Sequence, residues 1–199
     1  MLFSRWEHVI YLYHGMTGRR LVTRIFVMAA MILTSSITHA RTRSIGAIFS
    51  YTGLSTSIEI PVETKSASRE SFIDLELKAE NEELYTGRHS YPGVSAAASW
   101  NFILKEWKSP DGNTVNFFAG PGVALGYCAD YKTDNGVMFG FKGRVGVECH
   151  FKRNVIISAT FAPIIGSHIT DYNGFALMKY YRNGLQYALI PEIGIKYRF

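Results

Sequence analysis

The sequence predicts an all-β fold: an up-and-down barrel of eight antiparallel strands that crosses a membrane, behind an N-terminal signal peptide. Three observations predict it. First, the stretch 187–199 sorts by parity. Its odd positions (Tyr187, Leu189, Pro191, Ile193, Ile195, Tyr197, Phe199) carry no charge, and its even positions (Ala188, Ile190, Glu192, Gly194, Lys196, Arg198) carry every charge in the segment. Successive strand side chains point to opposite faces, so this is one apolar wall and one ionic wall. Second, after Arg41 the chain runs in short alternating segments between clusters of Gly, Pro, Asn, Asp and Ser, with no useful helix-period segment. Third, residues 16–40 have the three parts of a secretory signal.

In that signal, Arg19, Arg20 and Arg24 form the positive region, 25–33 the apolar region, and 34–40 a small, polar region ending in Ala40. The apolar run falls far short of the ~20 residues a membrane-spanning helix needs. Met16 is the more natural start for such a signal. Residues 1–15 therefore read as an upstream extension, and 41–199 as a single barrel domain. Residues 1–40 hold four Lys+Arg and one Asp+Glu, so the remainder carries a net +2 where the whole chain carries +5. That remainder has no basic stripe, which argues against a nucleic-acid partner.

Eight strands parse in order. The first spans 44–51 and the second 55–63. The third, 71–80, sets Ile73, Leu75, Leu77 and Ala79 against Phe72, Asp74, Glu76, Lys78 and Glu80. The fourth, 94–107, sets Val94, Ala96, Ala98, Trp100, Phe102 and Leu104 against Ser95, Ala97, Ser99, Asn101 and Lys105. Pro110, Asp111 and Gly112 mark a tight turn. The fifth, 114–130, is Gly-rich on its even face (Gly120, Gly122, Gly126), which marks a place where the strand bends or where large opposing side chains need room. The sixth is the cleanest after the last: Phe139, Phe141, Val145, Val147, Cys149 and Phe151 face away from Lys142, Arg144, Glu148 and His150. The seventh is 155–163, a long connection covers 164–184, and the eighth is 187–199. Cys128 falls on the ionic face and Cys149 on the apolar face, poor geometry for a disulfide, so both read as free thiols. No metal-ligand spacing or cofactor motif is present.

Alternation alone does not say which wall is outside, because a soluble lipocalin-like lipid-binding barrel turns its apolar wall inward. Aromatic residues near the strand ends (Tyr51, Phe102, Tyr127, Phe139, Phe151, Tyr187, Tyr197, Phe199) look like interfacial girdles, which favours lipid outside. Loop lengths agree. With the C-terminus periplasmic, the turns 64–68, 108–113 and 152–154 are short. The outer loops 52–54, 81–92, 132–136 and 164–184 then include the two longest. The expected interior set is Glu59, Asp74, Glu76, Lys78, Glu80, Lys105, Lys142, Arg144, Glu148, His150, Glu192, Lys196 and Arg198. An eight-stranded barrel is only wide enough for its side chains to fill, so these read as a salt-bridge network and not an open pore.

The segment order, the stretch 143–154 (GRVGVECHFKRN), the strand after it ending at Pro163 and the closing 194–199 (GIKYRF) carry a resemblance. The chain resembles the small eight-stranded outer-membrane β-barrel proteins of Gram-negative bacteria, of the OmpX/OmpA-transmembrane type, across 44–199. The resemblance implies location in the bacterial outer membrane among its lipids and lipopolysaccharide, and a monomer. It also implies that Phe199 is the signal read by the barrel-assembly machinery. It implies no cofactor and a structural, adhesive or surface-interaction role. Tyr172, Phe175, Tyr180 and Tyr181 are the expected outer-loop contacts. A different reading, a lipid-modifying enzyme, would draw on Ser167, His168 and Asp171 in the last loop, or on His89 and Ser90 in the second. No nucleophile-elbow pattern supports it.

Overall fold

A computed structural model of the chain describes residues 43–62, 70–81, 92–130, 135–172 and 175–199. The expected extension 1–15 and signal 16–40 lie outside the described residues, as do the turn 64–68 and His89 and Ser90. Six strands follow one another as an antiparallel meander: β1 (Ser44–Ser50), β2 (Gly53–Val62), β3 (Ser71–Asn81), β4 (Pro92–Lys108), β5 (Thr114–Cys128) and β6 (Gly136–His150). The chain then forms β7 (Val155–Phe161), β8 (Ile164–Tyr172), β9 (Phe175–Tyr180), the short helix α1 (Asn183–Gln186) and β10 (Glu192–Arg198). β10 pairs with β1, and Arg43 and Phe199 exchange both backbone hydrogen bonds, at 3.2 and 2.9 Å. The sheet closes on itself, leaving no free edge along the lower cylinder.

Ten strands build eight walls because the last two walls are interrupted. β6 pairs Val145 with Phe161 of β7 and Lys142 with Ile164 of β8, so the register runs through Ala162 and Pro163 without a slip. The Gly143 N–H donates to the Pro163 carbonyl at 2.8 Å and keeps the ladder joined there. Proline has no N–H to give to the other side. At that point the seventh wall changes its second partner, from β10 to β9. The eighth wall is irregular. Ser167 and Thr160 are seven residues apart, while their partners Tyr180 and Glu192 are twelve apart. Five more residues must leave the wall, and they do so in the strap 181–191 that carries α1.

Two expectations are corrected here. The connection 164–184 is not a loop: Ile164–Tyr172 and Phe175–Tyr180 are paired strands. The closing strand starts at Glu192 and not at 187, because Tyr187–Ile190 make turns, with Ile190 N–H donating to the Tyr187 carbonyl at 3.0 Å. Lys105 is a third correction. The β4–β5 register shifts between Ile103 and Lys105, pairing Ile103 with buried Phe118 but Lys105 with Phe117 on the other face. One extra residue in a strand reverses the parity of everything beyond it. Lys105 is therefore exposed on the outer face, its ammonium 5.0 Å from the Trp107 ring centroid.

Candidate functional site

The interior is built by the even-numbered face of β3, the facing residues of β6 and the lower part of β10. Across β5, Lys142 lies opposite Gly122 and Arg144 opposite Gly120, so both side chains have room to cross the lumen. They reach β3, where Lys142 pairs with Glu76 and Arg144 with Asp74. Lys196 enters from β10 to pair with Glu59, with Glu148 at 2.7 Å and with Asp74 at 3.9 Å. Its strand partner is Gly46, where a Cβ would sit 2.6 Å from the Lys196 Cγ, so only glycine lets the two strands meet there. Ser44 donates to Glu59 at 2.6 Å, and His150 lies 3.4 Å from Glu148. Arg144 also stands over the buried Phe118 ring, which meets the buried Phe72 ring edge-on. Arg144 is 3% exposed and Lys196 1%. Burying a charge without a partner costs several kcal/mol, and here each has carboxylates around it.

The outer half of the lumen is looser. Lys78 lies 3.5 Å from Glu80 and 3.9 Å from Glu192, and donates to the Thr52 hydroxyl at 2.5 Å. Ser95 donates to Glu80 at 2.6 Å. Above these groups and Lys142 is a polar cavity of about 50 Å³. That is room for roughly three or four water molecules. The strap roofs it. Arg198 sits half-buried at the opposite end of the barrel.

The outward face is apolar. Phe141 is 77% exposed and Ile195 52%, with Trp100, Leu125, Val147 and Tyr197 on the same surface. A soluble ligand-carrying barrel has the reverse arrangement, with its apolar wall around a cavity. Exposing this much contiguous apolar surface is unfavourable in water and favourable in hydrocarbon. No helix among the described residues is long and apolar enough to cross a membrane; strands are the elements that could.

Of the four expected loop contacts, Phe175 (78% exposed) and Tyr180 are exposed on β9. Tyr172 lies in β8, and its side chain is outside the described residues. Tyr181 is a correction: it turns inward and is buried against Ala124, Cys128 and Met138. Burial lifts its phenol well above the ordinary value, and Glu80 adds to the effect. Parity could not place it, because it is the first residue after β9 leaves its ladder. Ser167, His168 and Asp171 do not converge. His168 is buried and donates from Nε2 to the Cys128 carbonyl at 2.7 Å, whereas its neighbour Ser167 faces the opposite side of β8. Both cysteines are free. One anchor escaped the sequence reading altogether. Asp130, just past β5, accepts from the backbone N–H groups of Arg182 and Asn183 at 3.1 and 2.9 Å. An acid directly after a strand, with a helix start elsewhere, was its only available signal.

Fold and site together define the class: a closed, eight-walled antiparallel β-barrel, ionic within and apolar without. No protein-family model matches the chain, and no curated protein does. Among solved structures, the backbone structure of the Yersinia pestis outer membrane protein Ail in a phospholipid bilayer nanodisc is similar, with 11% identity. The match covers 79% of this chain and 97% of that one, with a TM-score of 0.36. So loose a superposition adds nothing to what the strand pairing establishes by itself.

Proposed function

We propose that this protein is an outer-membrane β-barrel of Gram-negative type with a structural, adhesive or surface-interaction role. The observation that carries the reading is the inverted cylinder: exposed Phe141 and Ile195 outside, buried Arg144 and Lys196 inside. The lumen is largely filled by charge pairs and is not an open pore. The contact role rests on β9, where Phe175, Met178 and Tyr180 are exposed and Thr170–Tyr172 of its partner extend past the last β6 pair at Val137. Large exposed apolar side chains at such a rim are contact points for a surface or partner. Catalysis is not part of this reading, since Ser167 and His168 lie on opposite faces of one strand.

Partners follow from the same reading: outer-membrane lipids and lipopolysaccharide around the wall, and the assembly machinery engaging exposed Phe199 during insertion. The barrel functions as a monomer. Fractionation with heat-dependent gel migration tests the core of it. The folded barrel is expected in the outer-membrane fraction, migrating differently before and after boiling. Recovery as a soluble periplasmic protein would overturn the proposal. Replacing Phe175 and Tyr180 together by Ser should then reduce attachment to surfaces without changing migration. Unaltered lipid A and phospholipids in an H168A D171A strain are expected too.

A further inference from the structure

The strap 181–191 does more than carry surplus residues. It leaves the eighth wall and reaches over β8 and β6 to the end of β5. There the Asp130 carboxylate accepts from the Arg182 and Asn183 backbones, and the Asn183 side chain donates to the Ala129 carbonyl at 3.3 Å. Tyr181 follows, its hydroxyl 3.9 Å from the Cys128 thiol that donates to it. The strap then returns to the β1–β2 hairpin, where the Tyr187 ring stacks on Tyr51 at 4.8 Å between centroids. Its other backbone hydrogen bonds are mostly within itself, such as Gln186 to Arg182 and Tyr187 to Asn183; Tyr181 to Gly166 is the tie to the ladder. Such a segment can open locally at far lower cost than the ladder beneath it.

Tyr181, Asn183 and Tyr187 line the top of the polar cavity, while Glu76, Lys78 and Lys142 line its floor. Below that floor, Asp74, Arg144 and Lys196 close the lumen. We propose that residues 181–191 form a latched roof. Asp130 holds it shut, and releasing that carboxylate opens the outer half of the lumen to water as a blind chamber, while the layer around Arg144 stays closed. The latch joins backbone amides to a carboxylate, the stronger kind of hydrogen bond, and it sits at one end of the strap, backed by the Asn183 side chain and by Tyr187 on Tyr51.

The chain carries its own reporter. Cys128 is buried beneath Tyr181, and Cys149 is the other cysteine. In the full chain with Cys149→Ser, reconstituted in phospholipid vesicles, modification of Cys128 by a small cationic methanethiosulfonate is followed by mass spectrometry. The parent should react slowly, and Asp130→Ala should react about tenfold faster or more with gel migration unchanged. That ratio corresponds to about 1.4 kcal/mol of easier opening. A parent rate in Asp130→Ala would overturn the proposal, as would a parent that already reacts as fast as the denatured chain. Should Asp130→Ala fail to fold, Asn183→Ala and Tyr187→Ala take its place. Each should accelerate labelling several-fold, and parent rates in both would overturn the latch. A thiol below the floor, Ser158→Cys in a C128S C149S D130A chain, should stay unreactive. Equal labelling there would mean the whole barrel had loosened and the roof is not the moving part.

Discussion

Around Lys196, β6, β7, β10, β1 and β2 are joined by unbroken ladders and the lumen is packed with charges that touch. Around Tyr181, the eighth wall leaves its ladder, and Lys78 stands 3.5–3.9 Å from its carboxylates beside space for water. One alternating pattern thus yields two kinds of closure. Where the ladder is continuous, side chains are held at fixed distances and a charge depends on its protein partners. Where the ladder is interrupted, loop contacts do the closing, and water can substitute for a missing partner.

Substitutions should show that difference. Lys196→Met removes the cation that Glu59 and Glu148 share, leaving buried carboxylates uncompensated. It should cost about 3–5 kcal/mol in urea unfolding of the bilayer-inserted barrel. Val147→Arg tests the wall instead of the lumen. It places a charge on the apolar outer face and should cost about 2–4 kcal/mol if that position is near mid-membrane. A wild-type midpoint for it would mean the face does not meet hydrocarbon. In the looser half, Glu80→Gln should cost roughly 1 kcal/mol or less, since Ser95 can still donate to it and Lys78 keeps Thr52. A loss as large as that of Lys196→Met would erase the distinction between the halves. Smallest is Lys105→Met, which forfeits an exposed contact with Trp107 and should cost about 0.5 kcal/mol.

Most of the cylinder was readable because parity is a local property. Glu76 and Lys142 sit on the ionic faces of β3 and β6, and both turn inward, as do Asp74, Arg144 and Glu148. What escaped depends on relations between distant residues. The bulge after Ile103 is invisible along β4 alone, because Phe102 and Leu104 keep alternating. It appears only against β5, and it carries Lys105 outside. Ile164–Tyr172 resembles loop in the sequence because its inward residues, His168 and Thr170, are weak markers of an ionic face. Its strand character comes from pairing with Val137–Lys142 of β6. From sequence the closing strand starts five residues too early, since Tyr187 and Leu189 keep the odd-position pattern while lying in turns. Leu189 is in fact 85% exposed. Asp130 and the strap were out of reach for the same reason: a latch joins two segments that no local rule connects.

The reciprocal bonds between Arg43 and Phe199 have a consequence for synthesis. The partners of β1 on its closing side lie at the far end of the chain, so the nascent protein must wait for residues 192–198 before its cylinder can seal. Until then it is an open ribbon with two sticky margins, each a template for intermolecular pairing. Covering those margins until the closing strand arrives therefore guards the unfinished cylinder against precipitation.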